Sequence, residues 1–319
     1  MQFLARFGRS YASKSDFDVR YDIFAENFTA IEEHNSNPAV TFVKGVNQFT
    51  DMSEQELEAR FSKTALKKPA QMINKKTEAV RLFSKSLPEY VNWYEAGKVS
   101  ESIDQTGCGA CWAFTTATTL ESLNAIENDL PKVPMYSVQY LMDCDEVNWA
   151  CDGGWMLDAY AFTKERGIVH WHDYDRTYNA RKNVCKEPNL DVSRFYNGGG
   201  KEEDNISNQR MKEIVSRQPV GVAMASNLKC MTPYKSGILT ESDCKCSDPN
   251  KMEVNHAVTI IGYGKSDVQG CDEYWIIKNS WGPDWGVHGT FKLCADRVGP
   301  AKELGICQVN SYVQWPTLD

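Results

Sequence analysis

The sequence predicts an α+β fold of two lobes, one helical and one a β-barrel-like sheet, preceded by a separate helical segment. Residues 96–200 carry mainly helical periodicity, and the chain beyond the glycine run at 198–200 carries mainly β patterning. Residues 1–86 contain no cysteine, whereas the rest of the chain contains all eleven. We therefore expect three parts: residues 1–86, the helical part 87–200, and the mainly β part 201–319.

The first part is predicted to contain an amphipathic helix. Phe17, Tyr21, Phe24, Phe28 and Ile31 recur at helical spacing and form one apolar face. The first 86 residues carry 13 Lys and Arg against 11 Asp and Glu, whereas the remainder carries 22 against 32. These opposite net charges favour docking of the first part on the rest of the chain.

The helical lobe is predicted from three apolar patterns. The longest begins at Cys111 and continues to about Asn128, and two shorter helices are expected at 138–144 and 156–166. The glycine run is interpreted as a flexible boundary. Beyond it we expect one helix at 205–216 and strands at 220–225, 257–263, 274–278 and 290–293.

Composition restricts the classes of function. A hydrophobic fraction of 42% and a net charge of −8 fit a globular protein that does not bind nucleic acid, and no apolar run approaches the roughly 20 residues of a membrane span. The first residues do not match a signal peptide. Eleven cysteines fit one reactive thiol and five disulfides in an oxidising or lysosome-like compartment. Glycosylation sequons at Asn27 and Asn205 are consistent with secretion.

The stretch Gln105–Phe114 carries the chemistry. Glycines and a small residue precede Cys111, which begins the long predicted helix. At that end, unpaired backbone N–H groups and the helix dipole stabilise a thiolate. A nearby imidazolium would lower the thiol pKa further, from about 8.5 to about 4. Cys108 and Cys111 could instead form a redox pair or half a metal site, but this reading lacks a preceding βαβ pattern and leaves Gln105 unexplained.

The pattern of Gln, five residues, and then Cys-Trp, around a Cys-Gly-x-Cys core, resembles the nucleophile segment of papain-like cysteine proteases. Two further motifs resemble the inhibitory prosegment of the cathepsin-L-like branch. The stretch Gly45–Asp51 matches one of them. The other is a set of regularly spaced helix positions, which we call the prosegment frame: Asp16, Arg20, Phe24, Asn27, Ile31 and Asn35. Asp16 stands where the family usually has Glu. We call residues 1–86 the prosegment and residues 87–319 the mature part.

The resemblance implies that the prosegment docks on the mature part and that its extended end, roughly Lys63 to Ser86, crosses the cleft between the lobes. Acid is expected to loosen it by protonating carboxylates, with Asp51 and the acidic mature surface as candidates. The stretch Leu87–Trp93 resembles the mature N-terminus of the family. We therefore predict cleavage near Ser84–Leu87.

A cysteine nucleophile needs a base and an orienting group. Among five histidines, His256 opens the segment 255–264, which resembles the family's histidine segment. The segment 274–282 resembles its asparagine segment, so Asn279 would orient the imidazole and Trp281 would shield that hydrogen bond. Gln105 and the backbone N–H of Cys111 would form the oxyanion hole.

The substrate groove is also inferred from the resemblance. Gly153 and Gly154 would leave the backbone bare for pairing with an extended peptide. The pocket for the second residue before the scissile bond would be apolar and select Leu, Phe or Val. Its expected lining is Trp155, Met156, Ala223, Val254, Ala257 and Tyr312. The last of these departs from the small or acidic residue common at that depth and is expected to disfavour Arg.

The family implies the disulfides Cys108–Cys151 and Cys144–Cys185, and a third bridge to Cys307. Cys244 and Cys246 compete for this third bridge, and Cys246 is preferred because it is nearer His256. The remaining pairs would then be Cys230–Cys244 and Cys271–Cys294, the latter across an expected hairpin.

We therefore expect the zymogen of a cathepsin-L-like endopeptidase that acts through a thioester and is located in a lysosome-like compartment or digestive vacuole, or secreted. Its expected partners are protein or peptide substrates and its own prosegment. We expect a monomer with no cofactor, metal, nucleic acid or membrane. The alternatives are an inactive homologue that serves as an inhibitor or binding module, and an exopeptidase, for which the insert 241–253 is the relevant feature.

Overall fold

The computed structural model describes residues 2–61, 66, 86–174, 177–188, 191–296 and 302–319. Its helices are α1 Gln2–Arg6, α2 Lys14–Ser36, α3 Glu54–Phe61, α4 Cys111–Glu127, α5 Val138–Cys144, α6 Met156–Arg166, α7 Asn208–Val215, α8 Leu228–Met231 and α9 Glu241–Cys244. Its strands are β1 Phe42–Lys44, β2 Val91–Asn92, β3 Ile168–Val169, β4 Arg194–Phe195, β5 Gly199–Asp204, β6 Val220–Met224, β7 Tyr234–Leu239, β8 His256–Lys265, β9 Glu273–Lys278, β10 Thr290–Cys294 and β11 Tyr312–Thr317.

Helix α4 is the central element of the helical lobe. Most of its residues are buried, including a run of threonines that would cost free energy if their hydroxyls were unpaired. The hydroxyl of Thr116 donates to the carbonyl of Trp112 (2.8 Å), and that of Thr119 donates to Thr115 (3.1 Å). These bonds within the helix let a polar sequence occupy a buried position. One apolar cluster surrounds α4 and includes Leu120, Tyr140, Leu141, Met156 and Tyr160.

The second lobe is a large sheet with the strand order β1-β7-β10-β9-β8-β6-β11-β5, to which β2 adds by pairing with β8. All of these pairs are antiparallel except β7 with β10. The strand β8 is buried along nearly its whole length, which explains its near-continuous apolar sequence. A second apolar cluster lies on this sheet and includes Val222, Ile260, Trp275, Phe291 and Val313. The cluster around α4 comes mainly from residues 108–174 and the cluster on the sheet mainly from residues 206–315, as suits one helical lobe and one sheet lobe.

The glycine run at 198–200 is ordered structure, which corrects the expectation of a flexible boundary. Gly199 and Gly200 begin β5, and Asn197 is buried and donates to the carbonyls of Tyr160 and Gly199. A Cβ on Gly200 would lie 2.5 Å from the ring of Tyr160. Glycine therefore serves close packing of β5 on α6, and the strand joins the two lobes because it pairs with β11.

The polar positions of the prosegment frame connect α2 to the chain that follows it. Arg20 donates to the backbone carbonyl of Asp51 (2.9 Å) and pairs with Glu56, while Asn27 donates to the carbonyls of Thr50 and Met52. The predicted apolar face is only partly used. Of its five residues Ile31 alone is buried, and three aromatic side chains are at least 40% exposed: Phe17, Tyr21 and Phe28.

The prosegment joins the mature sheet through β1. Phe42 pairs with Gly237 and Val43 with Ser236, so β1 adds an antiparallel strand at the edge of β7. The predicted crossing of the cleft by residues 63–86 lies almost entirely outside the described residues, as does half of the predicted cleavage region at 84–87. Among the described residues, no helix combines the length and the apolar character needed to cross a membrane.

Candidate active site

The predicted nucleophile begins α4. All eleven cysteines lie in the described residues, and Cys111 is the one without a disulfide. The residue before it, Ala110, provides no side-chain cap, so the first backbone N–H groups of the helix remain available. The backbone N–H groups of Ala257, Trp112 and Cys111 each act to lower the pKa of this thiol. Because Ala257 directly follows His256, its influence places the sulfur near the start of β8, where the predicted base lies.

Both members of the Cys–His pair are inaccessible to solvent. Cys111 is 0% and His256 is 2% exposed. Burial raises the pKa of the Cys111 thiol to about 11, outweighing the backbone N–H groups that lower it. Burial also lowers the pKa of His256 to about 4, against the opposing effect of its bond to Asn279. The sequence leads us to expect an ionised sulfur, whereas exclusion of water in this closed form favours a neutral thiol and a neutral imidazole.

His256 and Asn279 come from neighbouring antiparallel strands. His256 opens β8, and Asn279 follows directly after β9. The Nε2 of His256 lies 2.8 Å from Oδ1 of Asn279, which is the orienting contact expected from the sequence. The amide oxygen also accepts the backbone N–H of Ser280 at 2.8 Å. The indole of Trp281 lies 5.6 Å from the imidazole centroid, and its shielding of the His256–Asn279 contact stays a prediction.

Gln105 is buried and held in place from several directions. Its side-chain Nε2 donates to the carbonyl of Cys108 (2.8 Å), and its Oε1 accepts the hydroxyl of Ser280 (2.5 Å). Its backbone N–H donates to Ser280, and its carbonyl accepts the hydroxyl of Tyr178. One side-chain N–H remains for an oxyanion. The sequence places Ser280 beside Asn279 and so offers a weak signal for its role, but it offers none for Tyr178.

The expected substrate pocket is closed in this structure. Trp155, Met156 and Ala223 have no exposed surface, so they line no open cavity here, contrary to the expectation. The indole N–H of Trp155 donates to Glu202, and its ring packs edge-on against Tyr312 at 5.5 Å. Of the remaining expected lining residues, Ala257 is buried and Val254 is half-buried.

The expected backbone edge for substrate lies next to this closed pocket. Gly153 has a φ of 101°, which favours glycine, and its carbonyl accepts the N–H of Trp149. A Cβ on Gly154 would lie within 2.8 Å of the ring of Trp112. The backbone angle therefore favours glycine at position 153, and packing against Trp112 requires it at position 154.

The prosegment covers the Trp281 side of the catalytic residues. The rings of Phe49 and Phe61 lie 5.5 and 4.8 Å from the ring of Trp281. The side chain of Gln48 donates to the Trp281 carbonyl, and that of Asn47 donates to the carbonyl of Thr232. A cavity of about 880 Å³ lies between the prosegment and the mature part and reaches His256.

Ten cysteines form five bridges with Cα–Cα distances of 4.5 to 5.8 Å. Cys246 rather than Cys244 bonds to Cys307, and the pairs are those expected from the sequence: Cys108–Cys151, Cys144–Cys185, Cys230–Cys244, Cys246–Cys307 and Cys271–Cys294.

The two sequons have different environments. The Asn27 amide nitrogen donates to two backbone carbonyls inside the prosegment, which counts against a glycan at that atom in the folded zymogen. Asn205 is exposed just before α7, and its glycosylation stays a prediction.

Comparison with known proteins agrees with this geometry. Residues 87–317 match the family described as papain family cysteine protease, and residues 1–57 match the cathepsin propeptide inhibitor domain. Ananain of Ananas comosus is 32% identical over 322 residues, covering 99% of this chain and 86% of that protein. The viral cathepsin of Adoxophyes honmai nucleopolyhedrovirus is 31% identical, covering 98% of this chain and 88% of that protein.

Solved proenzymes share the whole fold. A recombinant stem bromelain precursor matches with a TM-score of 0.81 at 31% identity, covering 100% of this chain and 97% of that one. The digestive procathepsin L 3 of Tenebrio molitor larval midgut matches with a TM-score of 0.81 at 29% identity, covering 99% and 97%. Family, fold and the N-terminal inhibitor domain agree, and this chain belongs to the papain family of cysteine proteases in a proenzyme form.

Proposed function

We propose that the chain is the zymogen of a cathepsin-L-like endopeptidase that hydrolyses peptide bonds through a thioester on Cys111. The single observation that supports this most is the arrangement around the sulfur. A free thiol begins α4, and the backbone N–H of Ala257, the residue after His256, acts to lower its pKa. The Nε2 of His256 is held by Asn279 at 2.8 Å. Covalent acyl transfer requires a nucleophile, a base near it and a group that orients the base.

In the proposed reaction, His256 takes the thiol proton and the Cys111 sulfur attacks the peptide carbonyl carbon. The carbonyl oxygen becomes an oxyanion that accepts the uncommitted N–H of Gln105 and the backbone N–H of Cys111. The tetrahedral intermediate collapses when His256 gives its proton to the leaving amine, which breaks the C–N bond. Water then attacks the thioester with His256 as base, releases the acid and returns the proton to sulfur.

The prosegment keeps this machinery inactive in two ways. Its aromatic residues cover Trp281, and the closed site favours the neutral forms of the thiol and imidazole. Removal of the prosegment would admit water, lower the desolvation cost and favour the thiolate–imidazolium pair. Active-site exposure and nucleophile ionisation would therefore increase together on activation.

Acid is proposed to release the prosegment through carboxylates at its docking surface. Arg60 pairs with Asp104 of the mature part, and Glu54 pairs with Lys229. Inside the prosegment, the hydrogen bond from Arg20 lowers the pKa of Glu56 to about 2. The Arg20–Glu56 pair is therefore expected to persist until the pH falls toward 2.

Endopeptidase rather than exopeptidase activity is supported by the insert 241–253. Cys244 and Cys246 tie this insert to α8 and to the turn at Ile306–Gln308 through two disulfides. A segment bound to the β lobe at two points is not disposed to occupy the cleft. We further propose an apolar preference, for Leu, Phe or Val, at the second residue before the scissile bond, and a lysosome-like, digestive-vacuolar or secreted location.

The test is covalent labelling of the acid-treated protein with an epoxide peptide inhibitor, followed by mass spectrometry and assays on end-blocked peptides. We expect one label on Cys111, hydrolysis of blocked substrates and a new N-terminus near 84–87. The Cys111→Ser variant is the control and should neither label nor hydrolyse. Absence of both label and hydrolysis would favour the inactive homologue, and hydrolysis restricted to peptides with free ends would favour the exopeptidase.

A further inference from the structure

Helix α3 of the prosegment lies against the part of the cleft on the Trp281 side. At its C-terminal end, the guanidinium of Arg60 donates to both carboxylate oxygens of Asp104, at 3.0 and 3.1 Å. The same guanidinium lies 5.5 Å from the ring of Phe49 and 5.8 Å from that of Phe61. Both of these rings contact Trp281. The prosegment thus places a cation on Asp104 and apolar rings on Trp281.

Asp104 belongs to the mature part and directly adjoins the catalytic groups. It precedes Gln105, the proposed oxyanion donor, and it forms an antiparallel bridge with Trp281. Its carboxylate also accepts the backbone N–H of Thr106 at 2.7 Å, which holds its orientation. The side chain is 33% exposed even under the prosegment. Removal of the prosegment therefore uncovers an oriented carboxylate between the oxyanion donor and the indole beside His256.

Asp104 lies on the side of the cleft that would bind the substrate residues after the scissile bond. Gln105 is proposed to bind the carbonyl of the residue before the scissile bond, and His256 to protonate the amine of the residue after it. An extended peptide advances about 3.4 Å per residue, so a group between these two and Trp281 is within reach of the first two residues after the bond. Among the described residues, Arg60 is the cation that bonds to Asp104 in the zymogen.

We propose that Asp104 is a specificity-determining residue that selects substrates with Arg or Lys at the first or second position after the scissile bond. The inference rests on the proposed peptidase function. Arg60 stands in for the substrate side chain: it is a guanidinium whose Nη2 lies 3.0 and 3.1 Å from the two oxygens of one carboxylate, in a charge-assisted contact. A substrate Arg would replace it on Asp104 while its aliphatic stem packs on Trp281.

The experiment uses the acid-activated enzyme and internally quenched, end-blocked peptides that differ only at the first or second position after the scissile bond. Each position carries Arg, Gln or Glu in turn, and the readout is the ratio of kcat/KM for Arg over Glu. At one of the two positions we expect a ratio of roughly tenfold, because attraction for one charge and repulsion of the other add across a partly exposed pair. High salt should reduce this ratio.

The variant is Asp104→Asn, which keeps an oxygen acceptor for the Thr106 N–H but removes the charge. We expect its ratio to fall to about one, since no carboxylate then discriminates the two side chains. The matched control is Lys229→Gln, which removes a charge at the other end of α3, where Lys229 pairs with Glu54 at 2.8 Å. Its ratio should equal that of the wild type.

Two results would overturn the proposal: equal kcat/KM for Arg and Glu peptides at both positions of the wild type, or an unchanged ratio in Asp104→Asn. Failure of the peptidase function itself would look different, because no peptide would be hydrolysed and Cys111 would not be labelled. A ratio also cancels any general loss of activity in the variant, so a partly damaged enzyme still gives a decisive answer.

Discussion

Replacement of Phe49 by alanine should open the zymogen without acid. Phe49 is 3% exposed. Its ring centroid lies 5.5 Å from that of Trp281 across the docking surface and 5.8 Å from that of Phe61 within the prosegment. Truncating a buried Phe costs about 3–5 kcal/mol in a core. Only part of this burial is against the mature part, so we assign about 2–3 kcal/mol to docking, including an aromatic pair of about 1 kcal/mol.

That loss predicts an increase of about 30- to 150-fold in the population of open zymogen, since 1.4 kcal/mol is tenfold. The assay is the rate at which an epoxide inhibitor labels Cys111 in the uncleaved protein at neutral pH. Because only the open form exposes the sulfur, the rate is proportional to that population. The control is Tyr21→Ala, which removes a prosegment ring that is 60% exposed and should label at the wild-type rate. Equal labelling of Phe49→Ala and the wild type would refute the reasoning.

Three further outcomes are expected. Gln105→Ala should lower kcat of the activated enzyme by about 10²–10³, the usual loss of an oxyanion donor, and initial rates on a blocked peptide will show whether it does. Because Arg20 lowers the pKa of Glu56 to about 2, the pair stabilises the prosegment above the ordinary Glu pKa and loses its effect only as the pH falls toward 2. The Glu56→Gln variant should therefore undergo self-processing at a higher pH than the wild type. An unchanged pH profile of processing would contradict this. Lys278→Met should destabilise the zymogen by about 3–5 kcal/mol, because it leaves the buried Glu121 without its cation. The double variant with Glu121→Gln should lose less stability in thermal unfolding. Additive losses of stability would argue against coupling of the two residues.

The prediction for Lys278→Met rests on a buried polar cluster between the lobes. The hydroxyl of Ser100 donates to Glu121 of α4 and accepts from Lys278 of β9 at 2.9 Å. Burial lowers the pKa of Lys278 to about 8 and raises that of Glu121, while each charge opposes the shift of the other. Because Lys278 immediately precedes Asn279, this group of atoms links the nucleophile helix to the strand that orients the base.

Local patterns predicted the elements whose sequence and environment agree. The short helices α5 and α6 have the bounds expected from apolar spacing and flanking residues, and α4 begins at Cys111 as expected. The strands β5 and β7 were not predicted. The first is polar, as suits a sheet edge, and the second has Gly237 in its interior, so neither shows the apolar alternation on which strand prediction depends.

The proposed catalytic residues could be named from motifs, but their protonation state could not. Ionisation of Cys111 depends on how much water the folded prosegment and lobes exclude, a tertiary property that no local pattern carries. The closed packing of Trp155 on Tyr312 likewise follows from the pairing of β11 with β5, which local propensity did not indicate. The position of Asp104 beside Trp281 depends on a bridge between residues 177 apart in the chain, and spacing within one motif cannot reveal it.

The pairing of β1 with β7 has a consequence for the fate of the activated enzyme. Once the prosegment is released, β7 becomes an outer strand with bare N–H and C=O groups, the kind of surface that recruits foreign strands into aggregates. Lys235 is exposed on this strand, and Gly237, with a φ of 92°, interrupts its extended backbone. The charge of Lys235 and the irregular backbone at Gly237 protect β7 against self-association. The strand that pairs with β1 in the zymogen is therefore poorly suited to pair with a second copy of the mature enzyme.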